Sequence, residues 1–259
     1  MSSTPRLFVT SDLAQDGFVA VDEGQAKYLS RVMRLRVGDG VRVFNGRDGE
    51  WDAVIDHLEG KTLLLKAKAQ RRTQADGTNL TLLFAPLKKT RTDFVVEKAT
   101  ELGVAAIQPV FTARTQATRV NTERLQALAM EAAEQTERMD LPLIRPGAPL
   151  PQALDDLSAG VTLYFCDEAG DEEDAPWGGG RGRARPMVDV LAAREIGPAA
   201  ILIGPEGGFS PEERRDLRQR TGTVPVGLGP RILRAETAAV AALTLWQAEH
   251  GDWRGLQSA

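Results

Sequence analysis

The chain has 259 residues, of which 42% are hydrophobic and 26% charged, with a formal net charge of −4. Those values suit a globular protein of one large or two small domains, and they exclude a protein that coats nucleic acid indiscriminately. Cys166 is the one cysteine, so no intrachain disulfide forms, and with only His57 and His250 beside it no zinc-binding set is recognisable. No apolar run approaches the ~18 residues that span a bilayer. The opening MSSTPRLFVTSD lacks a signal-peptide apolar region, so a cytoplasmic protein with no metal and no membrane partner is expected.

Residues 1–73 predict a small β-rich domain. Arg6 to Val9 is a first strand, and a helix is expected over Asp22 to Leu35 with Tyr28, Leu29, Val32 and Leu35 on one face. Strands follow over Val41–Phe44, Glu50–Leu58 and Thr62–Ala69, turned by Asn45-Gly46, Asp48-Gly49 and Glu59-Gly60. Short strands with tight turns suggest a small barrel. Lys27, Arg31 and Arg34 form a basic stripe on the helix, with Arg36 and Arg42 close behind. Such a stripe reads either as a solvated face or as a set of phosphate contacts. The polar run Arg71–Asn79 is an interdomain linker.

Residues 78–259 predict an α/β domain. Leu80–Ala85 is a buried-type strand, and a helix follows from about Thr92 to Leu102, with Phe94, Val95, Ala99 and Leu102 inward and Gly103 as its cap. Ala105–Phe111 is the next strand. A helix is expected from Asn121 or Thr122 to about Met139. Further strands at Val161–Cys166 and Ala200–Ile203 argue for a mainly parallel sheet with helices on both sides. Lys88, Lys89, Arg91 and Arg114 fall in the loops after strands, either as solvated charge or as functional groups. Residues 169–186, AGDEEDAPWGGGRGRARP, are low-complexity and read either as a passive insertion, the favoured reading, or as a mobile arginine loop that contacts RNA.

The most informative stretch is Ala200 to Ala248. An apolar strand empties into Gly204-Pro205-Glu206-Gly207-Gly208, and Ser210 with Glu213 makes a capping box around Pro211. A second strand, Thr223–Val226, empties into Gly227-Leu228-Gly229-Pro230, and an Ala-rich helix follows. Glycine lets backbone approach a ligand, and ligands in open α/β sheets bind beyond the carboxyl ends of strands. Neither a phosphate-binding GxxxxGK[ST] nor a dinucleotide GxGxxG is present.

The segment Ile203 to Ser210, followed by Leu228-Gly229-Pro230-Arg231-Ile232-Leu233-Arg234-Ala235-Glu236-Thr237-Ala238, resembles the signature of the 16S ribosomal RNA uracil-N3 methyltransferases. These are SPOUT-class enzymes that use S-adenosylmethionine. The resemblance covers nearly the whole chain. Tyr28 to Asp39 is similar to their PUA-like RNA-binding module, Lys98 to Val104 to the opening of their catalytic domain, and Glu134-Gln135-Thr136-Glu137-Arg138 to their Glu-Gln-x-x-Arg segment.

The resemblance implies a trefoil-knotted C-terminal domain and a homodimer. It also implies methylation at N3 of a specific uridine in 16S rRNA of the 30S subunit, in its decoding region. Leu202, Ile203, Gly204, Pro205, Glu206, Gly207, Gly208, Leu228, Gly229, Arg231, Ile232 and Leu233 are expected to hold S-adenosylmethionine. Lys27, Arg31, Arg34, Arg36, Lys88, Lys89, Arg91, Arg114 and Gln135 are expected on the RNA side. Arg138 or Arg234 would stabilise the uracil anion, and a carboxylate such as Glu134 or Glu236 would take the N3 proton. A ribose 2′-oxygen methyltransferase and a non-catalytic RNA-binding factor are the rival readings.

Overall fold

The computed structural model describes residues 4–60, 62–75, 77–167 and 184–257. It divides into two compact units: Met1–Asp76 with Met130–Leu141, and Gly77–Ala129 with Pro142–Ala259.

The first unit is built on a five-stranded sheet of β1 (Arg6–Phe8), β2 (Phe18–Ala20), β3 (Gly40–Phe44), β4 (Glu50–Glu59) and β5 (Thr62–Arg72). Their order is β1-β3-β4-β5-β2, with β1 parallel to β3 and the other neighbours antiparallel. Register shifts along β4 at Glu50/Trp51, Asp52/Ala53 and Ile55/His57 supply the bulges that bend a long strand. Alternate residues Val41, Val43, Ala53, Ile55, Leu63 and Leu65 point into one core with Leu7, Val9, Val19 and Leu29. The expected turn chemistry is present: the Arg47 and Asp48 N–H groups both donate to Asn45 Oδ1, and Gly46 and Gly49 sit at φ +77°.

The helix expected over Asp22 to Leu35 is shorter. Helix α1 (Glu23–Lys27) starts on an Asp22–Gln25 capping box and passes into a π-helical turn over Tyr28–Val32. Arg34 then takes φ +57°, a left-handed conformation that a side chain normally avoids, and ends the element. The wider turn breaks the 3.6-residue period. Leu29 is therefore fully buried, while Tyr28 and Val32 of the expected apolar face are exposed.

A charged group lies in this first core. Arg6 and Glu50, 8% and 1% exposed, form an ion pair. The Arg6 guanidinium lies 3.9 Å from the centre of the Phe44 ring and donates to the carbonyls of Ala133 (2.7 Å) and Arg138 (2.6 Å). Arg72 Nε donates to the other Glu50 oxygen at 3.0 Å. Residues 130–141 are thereby fastened to the N-terminal sheet, although they follow the linker by more than fifty residues.

The second unit is an eight-stranded sheet of β6 (Leu80–Phe84), β7 (Ala106–Phe111), β8 (Leu143–Ile144), β9 (Ala148–Pro149), β10 (Thr162–Cys166), β11 (Arg185–Pro186), β12 (Ala199–Ile203) and β13 (Thr223–Gly227). The order is β11-β13-β10-β12-β6-β7-β8, with β9 also on β7, and the pairings are parallel. The helices are α2 (Lys89–Glu101), α3 (Thr122–Gln135, whose residues from 130 onward belong to the first unit), α4 (Leu150–Asp155), α5 (Met187–Ala192), α6 (Pro211–Gln219) and α7 (Ala235–His250).

Both faces of the sheet are covered, as parallel sheets require. Leu80, Leu82, Phe84, Ile201 and Ile203 face α2, α5 and α7, while Leu83, Leu202, Leu163 and Phe165 face α4 and α6. Helix α2 begins at Lys89, ahead of the expected Thr92. Thr92 turns its hydroxyl back to the main chain of Leu87 and is buried. Phe94, expected inward, is 40% exposed, because Val95, Val96 and Ala99 take the buried face. Gly103 after α2 adopts φ +74°, the left-handed cap its position implied. Helix α3 stops at Gln135 rather than Met139, and Glu137 turns the chain at φ +60°.

Burial alone would push the Glu50 carboxyl up, but the hydrogen bonds from Arg6 and Arg72 outweigh it and hold the carboxyl below the usual range. A depressed carboxyl contributes stability that is present above its unfolded-state pKa and lost as pH falls through the folded one. Glu50→Gln leaves the Arg6 charge buried without its partner, which costs about 3–5 kcal/mol at neutral pH. Urea unfolding of both proteins from neutral to acidic pH should show that gap narrowing on acidification.

Candidate functional site

The strand ends place the site. Parallel strands β12, β10 and β13 finish side by side, and at their carboxyl ends the second unit holds a cavity of about 710 Å³. Its walls are residues 203–209 after β12, residues 226–235 between β13 and α7, and Cys166 and Asp167 at the end of β10. Residues 184–186, Arg114, Arg214 and Ala238 complete the lining.

Local chemistry shapes each wall. The loop after β12 tightens through the Gly208 N–H to the Pro205 carbonyl (2.9 Å), with Gly208 at φ +66°. A side chain at Gly204 would place its Cβ 2.8 Å from the Phe209 ring, which is itself packed edge-on against Phe165. The loop then enters α6 through the expected capping box of Ser210 and Glu213. The second wall turns at Gly229, φ +111°, where only glycine is at ease.

Charged side chains tie these segments together. Arg114 donates to the Gly207 carbonyl at 2.9 Å, and Glu213 accepts from the Ala113 N–H at 2.7 Å. Asp167, 4% exposed, is clasped by α6: Arg214 reaches it in two bonds of 3.0 and 3.2 Å, and Arg218 in bonds of 3.0 and 2.6 Å. Arg91 stands 3.3 Å from Glu206 Oε1 and 3.5 Å from Glu236 Oε1. Desolvation, with the Asp167 charge beside it, pushes the Cys166 thiol up to about 12, so it is no nucleophile at neutral pH.

Of the residues expected to hold the cofactor, residues 203–208, residues 228 and 229, and residues 231–233 line this cavity. Leu202 is fully buried beneath it, facing α4 and α6. Arg234 lines the cavity and is the cap residue of α7; Glu236 lies in the first turn of that helix with its Oε2 buried and unbonded among the described residues. Glu134, Gln135 and Arg138 belong to the first unit. There Glu134 accepts from the Phe8 N–H at 2.9 Å, Gln135 is exposed, and Arg138 Nε bonds Asp140 at 2.7 Å.

Lys27, Arg31, Arg34 and Arg36 are exposed on the first unit, and Lys88 and Lys89 at the start of α2. Residues 169–183 of the low-complexity insertion lie outside the described residues, and Arg185 and Pro186 form β11. Asp167, Arg214 and Phe209 are among the lining residues that the expected site did not include. The position of Asp167, one past a strand of the same sheet, was the available signal for it.

Fold and site together define an α/β protein with a small-ligand cavity at the strand ends, joined to a small β-domain. The model for the RNA methyltransferase domain matches residues 74–247, and that for the RNA methyltransferase PUA domain matches residues 21–68. The ribosomal RNA small subunit methyltransferase E of Rickettsia conorii is 32% identical over 92% of this chain and 93% of its own. That of Synechocystis is 32% identical over 92% of this chain and 75% of its own. The Neisseria gonorrhoeae enzyme of that name, solved with bound S-adenosyl methionine, superposes with a TM-score of 0.79 at 26% identity, covering 96% of this chain and 99% of that one. A Legionella pneumophila methyltransferase in complex with the same cofactor superposes at 0.78 with 26% identity, covering 95% and 98%. The chain belongs to the family of ribosomal RNA small subunit methyltransferases E; the PUA match lies within the first unit, and the RNA methyltransferase match takes in the second unit as far as residue 247 together with residues 130–141 of the first.

Desolvation raises the Glu134 carboxyl above the usual carboxylate range, against the pull of the Phe8 N–H and Arg6. A raised carboxyl favours the fold below its unfolded-state pKa, about 4.3, and loses that contribution as pH rises through the folded value. Gln at this position keeps an acceptor for Phe8 and carries no charge. Glu134→Gln should therefore match the wild type in acid and equal or exceed its stability at neutral pH, as read by denaturant midpoints along a pH series.

Proposed function

We propose that this chain transfers a methyl group from S-adenosylmethionine to N3 of a uridine in small-subunit ribosomal RNA. The observation that carries the reading is the cavity walled by both glycine segments at the strand ends. Its size falls within the range of about 300–1,000 Å³ usual for cofactor pockets. The chemistry of its lining fits the cofactor: apolar surface from Ile203, Val226, Leu228 and Leu233 suits an adenine face and a sulfonium, and exposed loop backbone supplies donors and acceptors. At Gly204 and Gly229 the backbone leaves no room or no relaxed conformation for a side chain, as a close-fitting cradle requires.

When bound, S-adenosylmethionine supplies an electrophilic methyl on a positively charged sulfur. The residues of this chain do the rest. The loops fix the donor in line with the acceptor, where orientation supplies much of the rate. The uracil N3 proton must leave, and the negative charge it leaves behind spreads over the flanking carbonyl oxygens. Arg234 or Arg138 stabilises that charge, and a carboxylate takes the proton. Exposed Lys27, Arg31, Arg34 and Arg36 on the first unit and Lys88 and Lys89 on the second provide phosphate contacts. We read the active species as a cytoplasmic homodimer with a knotted second unit. Ile232, 67% exposed on the cavity wall, with Phe94 and Trp253 also exposed, supplies apolar surface for a second copy.

Labelled S-adenosylmethionine incubated with small ribosomal subunits lacking native methylation should give label in 3-methyluridine on nucleoside digestion. Label in another nucleoside would refute the N3 assignment, and no transfer to subunits or naked rRNA would refute the enzyme reading. Gly204→Val, whose side chain meets the Phe209 ring, should abolish cofactor binding in calorimetry while far-UV circular dichroism stays unchanged.

A further inference from the structure

Arg91 was expected to face RNA, but its contacts lie elsewhere. Its guanidinium reaches Glu206 in the loop after β12 through Nη1 and Glu236 in the first turn of α7 through Nε. Glu206 lines the cavity in the first glycine segment, and Glu236 follows directly on the lining residues Arg234 and Ala235 that end the second. Neither Arg91 nor Glu236 lines the cavity. Arg91 is itself anchored in the first turn of α2, where the Thr92 hydroxyl bonds the Leu87 main chain in both directions. One oxygen of Glu236 is buried without a partner among the described residues, so Arg91 is the charged neighbour that the structure gives this carboxylate.

We propose that Arg91 is a positioning residue for the cofactor, tying Glu206 to Glu236 and so holding the two glycine walls at the separation at which S-adenosylmethionine fits. This rests on the reading that the cavity takes that cofactor. The physical reason is conformational entropy. Residues 204–208 lack helix or strand hydrogen bonds, and ordering each residue of a free loop opposes binding. Arg114 pins the loop at the Gly207 carbonyl, but Arg114 belongs to the segment after β7, and among the described residues its side-chain bond goes to that loop and not to α7. Arg91 supplies the tie between the walls. All three side chains are partly solvent-exposed, from 16% to 36%, so the pairs add little to global stability; their effect falls on the order of the loop before the ligand arrives.

The test is S-adenosylmethionine affinity by calorimetry on the full chain, with urea midpoints as the control for folding. Arg91→Ala should weaken binding about fivefold to tenfold at an unchanged midpoint, in the range typical of coupling between sites. Arg91→Lys, a point charge that cannot span both carboxylates, should fall between. Glu236→Gln should also weaken binding, and the double variant should be no weaker than the worse single one, because both act through one contact. The salt dependence of 16S rRNA binding should keep its slope in Arg91→Ala.

Wild-type affinity in Arg91→Ala would overturn the proposal, as would additive losses in the double variant. A salt slope reduced by about one with cofactor affinity intact would assign Arg91 to an RNA phosphate instead. Failure of the wild type to bind S-adenosylmethionine at all would overturn the cofactor reading itself, and this proposal with it.

Discussion

Strand β12 is buried along all five residues, and the burial of that one strand fixes the rest of the second unit. Its two faces pack against different helix layers, Ile201 and Ile203 on one side and Ala200 and Leu202 on the other. A strand covered in this way has its backbone bonds satisfied by neighbours on both edges, β10 and β6. Parallel pairing then brings the carboxyl ends of adjacent strands to one edge, and the connections that leave there form the walls of a concave site. The glycine loops have their effect because the strands beneath them are packed on both faces.

Hydrophobic patterning made most of this legible beforehand. The apolar runs Leu80–Phe84, interrupted only by Thr81, and Ala199–Ile203 mark doubly covered strands, and the capping box at Ser210 marks where α6 begins. Two-residue strands such as β8, β9 and β11 were not legible, since so short a run carries no period and their pairing comes from tertiary context. The helix expected over Asp22 to Leu35 failed for a related reason. A π turn shifts the buried face partway along, and nothing in the apolar spacing announces an extra residue in a turn.

The site divides in the same way. Backbone-determined positions were readable, because glycine and proline advertise the conformations they permit. Side-chain ties were not, because an ion pair joins residues whose separation in sequence is arbitrary. Arg91 and Glu206 are 115 residues apart, and Arg214 and Asp167 are 47 apart. Residues after strands read as solvated or RNA-facing charge until the structure shows which carboxylate stands opposite. The buried Arg6–Glu50 pair is the extreme case, since a strand arginine in the opening residues gives no hint that it will bond carbonyls beyond residue 130.

That first unit is discontinuous, which bears on its synthesis. The ribosome releases the five strands of the sheet well before residues 130–141, whose carbonyls Arg6 binds. At translation rates of about 5–20 residues per second the growing chain waits roughly 3 to 13 seconds between the two. During that interval Arg6 and Glu50 have each other but lack the segment that closes over them. The N-terminal unit is therefore the first to appear, yet its completion waits until residues 77–129 of the second unit have also emerged.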